Sequence, residues 1–142
     1  MEIREIMTQD VEMVRPDVSL QEAAQKMKAL DIGLIPVCDG EKLKGMLTDR
    51  DITIRATAEG LNPTTTEVAE VMTTDVAYCF EDQDVEEAAG IMEAKQIRRM
   101  PVLDRNKRLV GIISLGDLAI HTPASDLSAQ ALKEISHPAP KR

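Results

Sequence analysis

Apolar positions along this chain recur with two periods, and the order of the periods is written twice. Leu20, Ala23, Ala24, Met27 and Leu30 follow a helical spacing, and so do Val85, Ala88, Ala89 and Met92. Ser19 with Glu22 and Asp84 with Glu87 have the spacing of a capping box at each helix start. The pattern predicts helices ending near Leu30 and Lys95. Gly33 predicts a C-terminal cap for the first, and Arg98 at the matching place predicts a different exit for the second. Short runs rich in strand formers precede the helices, VEMV at 11–14 and VAYCF at 76–80. Two strands follow each helix, LIPVC with KLKGMLT and RMPVL with RLVGIIS, joined over the polar turns DGE and DRNK as hairpins. Pro36 and Pro101 fall inside strands, where they donate no ladder hydrogen bond, which predicts an edge or a bulge. A further helix begins at DITIRATAEG and again at DLAIH.

The chain is therefore one strand–helix–strand–strand–helix unit in two copies. Residues 6–38 and 71–103 match at 13 of 33 positions at an offset of 65. Unrelated sequences of this composition would match at roughly two or three. One added residue in the second charged turn moves the later offset to 66. The expected organisation is a first repeat over 1–62, a second over 63–122, and a C-terminal helix and tail over 123–142, with that helix starting near Ser125. Asn62-Pro63 marks the turn between copies, and Thr64 with Glu67 has the spacing to cap a short helix. Each copy is marginal by itself at this size, so the two are expected to pack sheet against sheet about a pseudo-twofold axis.

Composition narrows the function. The 142 residues carry a net charge of −8 and only two aromatic residues, Tyr78 and Phe80. Nucleic-acid binding draws on phosphate neutralisation and on stacking, and this chain is poor in both means. A methionine-rich aliphatic core with few aromatics favours an oligomer. Cys38 and Cys79 form no disulfide framework and no C-x-x-C pair, which reads as buried free thiols in a reducing cytoplasm. No stretch has membrane-span length.

Chemistry concentrates in GMLTDRD (45–51) and GIISLGD (111–117), two versions of one motif. Thr48 and Ser114 stand where a strand gives way to a helix, and their hydroxyls can cap that helix or donate to a phosphate. Asp51 and Asp117, about a turn further, can each accept a pair of hydrogen bonds, as the adjacent hydroxyls of a ribose would offer. Arg50 sits inside the first motif, and Gly116 takes its place in the second, where Arg98 and Arg99 precede the proline instead. Capping alone explains either motif singly. Two motifs, each beside a proline-broken strand, favour a ligand site.

The order MTxD, strand, helix, apolar-Pro-Val, then G-x-x-T/S-x-x-D resembles the CBS domain, and two in tandem resemble a CBS pair, or Bateman module, of the stand-alone bacterial kind. The resemblance covers about residues 5–120. It implies an α/β (α+β) fold of two β-α-β-β-α repeats, and a homodimer arranged as a disc of four repeats. It also implies a regulatory ligand containing adenosine: AMP, ADP, ATP or S-adenosylmethionine. On that resemblance Asp51 and Asp117 hold the ribose, and Thr48 and Ser114 meet the phosphates. Arg50 or Arg99 adds charge. Ile35, Pro36, Met100 and Pro101 line the adenine slots, with Val11 and Val76 nearby. The first motif, with Thr48 and Asp51, is the leading candidate.

Enzymatic readings find little support. The histidines are His121 and His137, with no nucleophile elbow, no Walker A run and no G-x-G-x-x-G. Two His and two Cys far apart give no zinc spacing. The expectation is a non-catalytic sensor that needs no cofactor and reports nucleotide binding to an effector protein. The alternative is a ligand-free interaction module with the same fold.

Overall fold

A computed structural model describes residues 1–121 and 131–135. The start of the tail helix expected near Ser125, and His137, lie outside the described residues. The chain is mixed α/β and divides into two compact units. One comprises Glu12–Val76; the other comprises Met1–Val11 with Ala77 onward. The packing units are thus cut differently from the sequence repeats, because each unit is completed by a segment from the other repeat's leading end.

In the unit 12–76, helix α1 (Leu20–Leu30) starts under Ser19, whose hydroxyl accepts from the Glu22 amide at 3.1 Å. Its buried stripe is Leu20, Ala23 and Met27, while Leu30 is exposed. Strands β1 (Leu34–Asp39) and β2 (Lys42–Thr48) pair antiparallel. Val14 joins β1 on its free side by a parallel bridge to Val37, and Thr73 joins β2 by an antiparallel bridge to Met46. Only Val14 of the expected strand 11–14 enters the sheet. Pro36 sits ahead of the Val14 bridge with its carbonyl accepting from Val14 N at 3.0 Å, so its missing N–H faces the short side of the sheet and breaks no rung. The register slips after it, between Val37 and Cys38. Helix α2 is a single turn, Asp49–Asp51, which widens into a π-helical turn over Ile52–Thr57. Amides of Ala58 and Leu61 reach back five residues, to Thr53 and Ala56.

The other unit repeats the plan. Strand β3 (Cys79–Phe80) lies parallel to β4 (Arg99–Leu103), which pairs antiparallel with β5 (Leu109–Ser114). Thr8 bridges β5 at Ile112, as Thr73 bridges β2. The expected strand 76–80 is shortened to its last two residues. Helix α3 (Val85–Lys95) buries Val85, Ala88, Ala89 and Met92. Helix α4 (Leu115–His121) follows β5. Residues 131–135 are helical; Ala131 is fully buried and Ile135 packs against this unit's core.

Three local expectations are corrected. Asp84 makes no side-chain cap: its carboxylate lies 3.5 Å from the Met1 amine, and its backbone bridges Glu2. Thr64 caps nothing; its amide and hydroxyl both donate to the Asn62 side chain, and the short turn Val68–Glu70 is closed by the Glu70 carboxylate on the Glu67 amide. The exits of α1 and α3 are alike, not different. Asp31 and Gln96 both take the left-handed conformation at φ 54°, which leaves Gly33 and Arg98 outside the caps.

Candidate functional site

Each motif hydroxyl and carboxylate close on one another. The Thr48 hydroxyl accepts from the Asp51 amide at 3.0 Å, and the Asp51 carboxylate accepts from the Thr48 amide at 3.0 Å. Ser114 and Asp117 make the same reciprocal pair at 3.1 and 2.8 Å. The capping reading of the sequence is therefore realised in both copies. It uses one oxygen of each carboxylate and leaves each hydroxyl proton free to donate elsewhere.

The motif glycines explain what else arrives there. A Cβ on Gly45 would stand 2.6 Å from the Thr73 carbonyl oxygen, and one on Gly111 would stand 2.8 Å from that of Thr8. These glycines admit the Met-Thr backbone of the MTxD segments. Bridges hold it there, Met46 N to Thr73 O at 2.9 Å and Thr73 N to Met46 O at 2.8 Å, with Thr8 and Ile112 bonded likewise at 2.8 and 3.0 Å. The two motifs of the sequence thus meet in space, each G-x-x-T/S-x-x-D against the MTxD of the other copy. Val76 accordingly belongs to the unit of Thr48 and Asp51, and Val11 to that of Ser114 and Asp117; both are half-buried.

Thr73 is the residue that sequence reasoning passed over. Its hydroxyl lies 3.2 Å from both oxygens of Asp51. Arg55 stands 3.9 Å from the same carboxylate and also donates to the Val71 and Met72 carbonyls. Asp51 is buried under these partners, at 8% exposure. The available signal was the repetition of MTxD itself, which periodicity assigned to no element. The second site lacks this closure. Asp117 is half-buried and its bonded partner among the described residues is the Ser114 amide; the Thr8 hydroxyl makes no bond to it.

Strand register corrects the slot-lining set. Leu34 faces Thr48 and Pro36 faces Met46; Arg99 faces Ser114 and Pro101 faces Ile112. Direct cross-strand partners share a face and side chains alternate, so Pro36 lies on the face of Thr48, and Pro101 and Arg99 on the face of Ser114. Ile35 and Met100 point the other way, into the two hydrophobic cores, at 0% and 1% exposure. They support the strands from behind and do not share a face with the prolines. Arg50 and Arg99 are exposed.

The remaining chemistry is structural. Burial pushes the Cys38 thiol up to about 11 and the Cys79 thiol up to about 12, which keeps both protonated and unreactive at neutral pH. Among the described residues no three His, Cys, Asp or Glu are grouped so as to hold a metal ion, and no helix is long and apolar enough to cross a membrane.

Comparison with known proteins agrees with this geometry. The family model described as CBS domain matches twice, over residues 3–56 and 68–122. The CBS domain-containing protein YhcV of Bacillus subtilis is 44% identical over 135 residues, covering 95% of each chain. Hypoxic response protein 1 of Mycobacterium tuberculosis is 40% identical, covering 95% of this chain and 94% of its own. A crystal structure of Hypoxic Response Protein I with two coordinated zinc ions superposes with a TM-score of 0.79, over 87% of this chain and all of that one. The CBS domain pair of protein MJ0100, solved with 5'-methylthioadenosine and S-adenosyl-L-methionine, superposes with a TM-score of 0.72 at 28% identity, over 84% and 94% of the two chains. A twice-matched family model and relatives that are similar from end to end lead to one assignment: this chain belongs to the CBS domain family, as a tandem pair.

Proposed function

We propose that this protein is a non-catalytic sensor. It binds an adenosine-containing ligand of the AMP, ADP or ATP class, or S-adenosylmethionine, and reports occupancy to an effector protein. The observation that carries the reading is the convergence, twice in one chain, of a hydroxyl residue, a motif aspartate and an MTxD threonine beside a proline-containing strand. These groups offer hydrogen-bond donors and a carboxylate next to an apolar face, which suits a sugar joined to a base. The MJ0100 pair, which holds two adenosine compounds, supports it. In this reading a motif aspartate takes the ribose hydroxyls, the motif hydroxyl residue donates towards phosphate and the strand proline flanks the base: Asp117, Ser114 and Pro101 in one unit, with Asp51, Thr48 and Pro36 the corresponding groups of the other. Ligand acts by favouring one arrangement of the chain over another, and only by its difference in affinity for the two.

Thermal unfolding with adenosine, AMP, ADP, ATP and S-adenosylmethionine tests the proposal. A ligand at a hundredfold excess over its Kd stabilises by about 2.7 kcal/mol. The double variant Asp51→Ala/Asp117→Ala is expected to lose the shift, and incubation with ATP is expected to release no phosphate. A flat response to all five compounds transfers the assignment to a ligand-free interaction module.

The expected assembly is a homodimer. Ile54 and Ile120 follow the two motif aspartates by three residues and are 43% and 77% exposed, so one apolar position is offered twice per chain. Sedimentation of Ile120→Glu should then give a monomer where the parent chain gives a dimer. Two free buried thiols suit a reducing cytoplasm, which fractionation of the source cells would check.

A further inference from the structure

Eight arginines lie among the described residues, and five are in ion pairs: Arg4, Arg15, Arg55, Arg105 and Arg108. The three with no ion pair are Arg50, Arg98 and Arg99, and all three stand at the motif sites. Exposed lysines such as Lys42, Lys44 and Lys107 also have no ion pair among the described residues, so what marks these arginines is their place at the motifs in a chain of net charge −8.

They are divided unequally. At the second site, Arg99 lies across the ladder from Ser114, and the Arg98 carbonyl accepts from the Leu115 amide at 2.8 Å. Both side chains are exposed, no carboxylate is bonded to them, and one oxygen of Asp117 has no protein partner among the described residues. At the first site, Gly33 and Leu34 occupy the corresponding positions. The Asp49 carboxylate lies over Gly33, 2.9 Å from where a Cβ would be, beside Arg50, whose amide donates to it at 2.8 Å. Behind it, Asp51 is already engaged by Thr48, Thr73 and Arg55. An anion approaching there meets a carboxylate first, and a sugar finds its acceptor taken.

We propose that the two motif sites are unequal. The site of Ser114 and Asp117 selects a nucleoside polyphosphate by charge through Arg98 and Arg99, and the site of Thr48 and Asp51 is closed by its own Thr73 and Arg55. This rests on the sensor reading above and reverses the order of candidates that the sequence favours. Arg99, on the face of Ser114, and its chain neighbour Arg98 put positive charge at this site, which attracts phosphate and opposes the cationic sulfonium of S-adenosylmethionine.

Calorimetric titration of the full chain at low salt with adenosine, AMP, ATP and S-adenosylmethionine separates the possibilities. Affinity should rise from adenosine to AMP to ATP, by on the order of three- to fivefold per added phosphate, as for exposed charge pairs, with S-adenosylmethionine weakest. Arg98→Gln/Arg99→Gln changes two exposed residues and should flatten the series without altering adenosine affinity. Asp117→Asn should weaken every ligand, and the parent chain should bind one ligand per chain. A phosphate dependence that survives loss of both arginines overturns the proposal, as does S-adenosylmethionine binding as tightly as ATP, or two ligands bound per chain. Each of those results leaves the sensor reading standing. Failure of all four compounds to bind overturns both.

Discussion

Replacing Gly45 with alanine adds one methyl group where the backbone of Thr73 already presses on β2. The new Cβ would stand 2.6 Å from the Thr73 carbonyl oxygen, and ordinary contact begins at 3.4 Å, so the strands must part by about 0.8 Å. The obstructing atom belongs to the backbone, and no rotamer relieves it. Parting by that distance stretches the two bridge hydrogen bonds, now 2.9 and 2.8 Å, beyond useful length. Each contributes about 1 kcal/mol, and the Thr73 hydroxyl on Asp51 contributes about 1 more. Gly45→Ala should therefore destabilise by about 2–4 kcal/mol. Gly90 supplies the control. It lies within α3 with nothing within 4 Å of its Cβ position, so Gly90→Ala should stabilise by about 0.5–1 kcal/mol through helix propensity and unfolded-state entropy. Urea unfolding of the two variants and the parent, followed by circular dichroism, measures both signs. If Gly45→Ala unfolds at the parent midpoint or above it, the motif glycine is not there to admit the MTxD backbone, and the account of how the two motifs meet is wrong.

Thr73→Val keeps shape and removes the hydroxyl that bonds buried Asp51, so it should cost about 1–2 kcal/mol, while Thr8→Val, with no carboxylate partner, should change stability by less than about 0.5 kcal/mol in the same urea assay. Agreement between the two losses would remove the asymmetry between the sites. The Arg105 guanidinium bonded to Asp82 holds that carboxyl below its ordinary value of 3.8, and the Arg108 amide and guanidinium act likewise on Asp104. A depressed folded-state pKa contributes stability above the unfolded value and loses it as the pH falls through the folded one. Stability should thus decline below about pH 4, and Arg105→Gln should make that decline shallower; an acid limb of unchanged slope in Arg105→Gln would refute the assignment.

Much of this protein could be read from local pattern. The helices α1 and α3, the hairpins over DGE and DRNK, and the duplicated unit follow from periodicity and turn chemistry, because those forces act between near neighbours in sequence. The reciprocal pairs Thr48–Asp51 and Ser114–Asp117 are legible for the same reason, since they span three residues. The prolines' place in the strands was legible too. The slot-lining set was not, because Ile35 and Met100 differ from their proline neighbours only in strand face, which register decides.

By itself the sequence determined a doubled unit with two hydroxyl–carboxylate motifs. Tertiary structure alone decided which MTxD segment completes which unit. Both segments begin Met-Thr, and a bridge made of backbone amides and carbonyls carries no side-chain identity, so nothing local distinguishes Thr8 from Thr73. Packing also decided that the same threonine reaches a carboxylate in one unit and not in the other. Such a hydrogen bond depends on placement to a fraction of an ångström, set by every contact in the unit and by no residue alone.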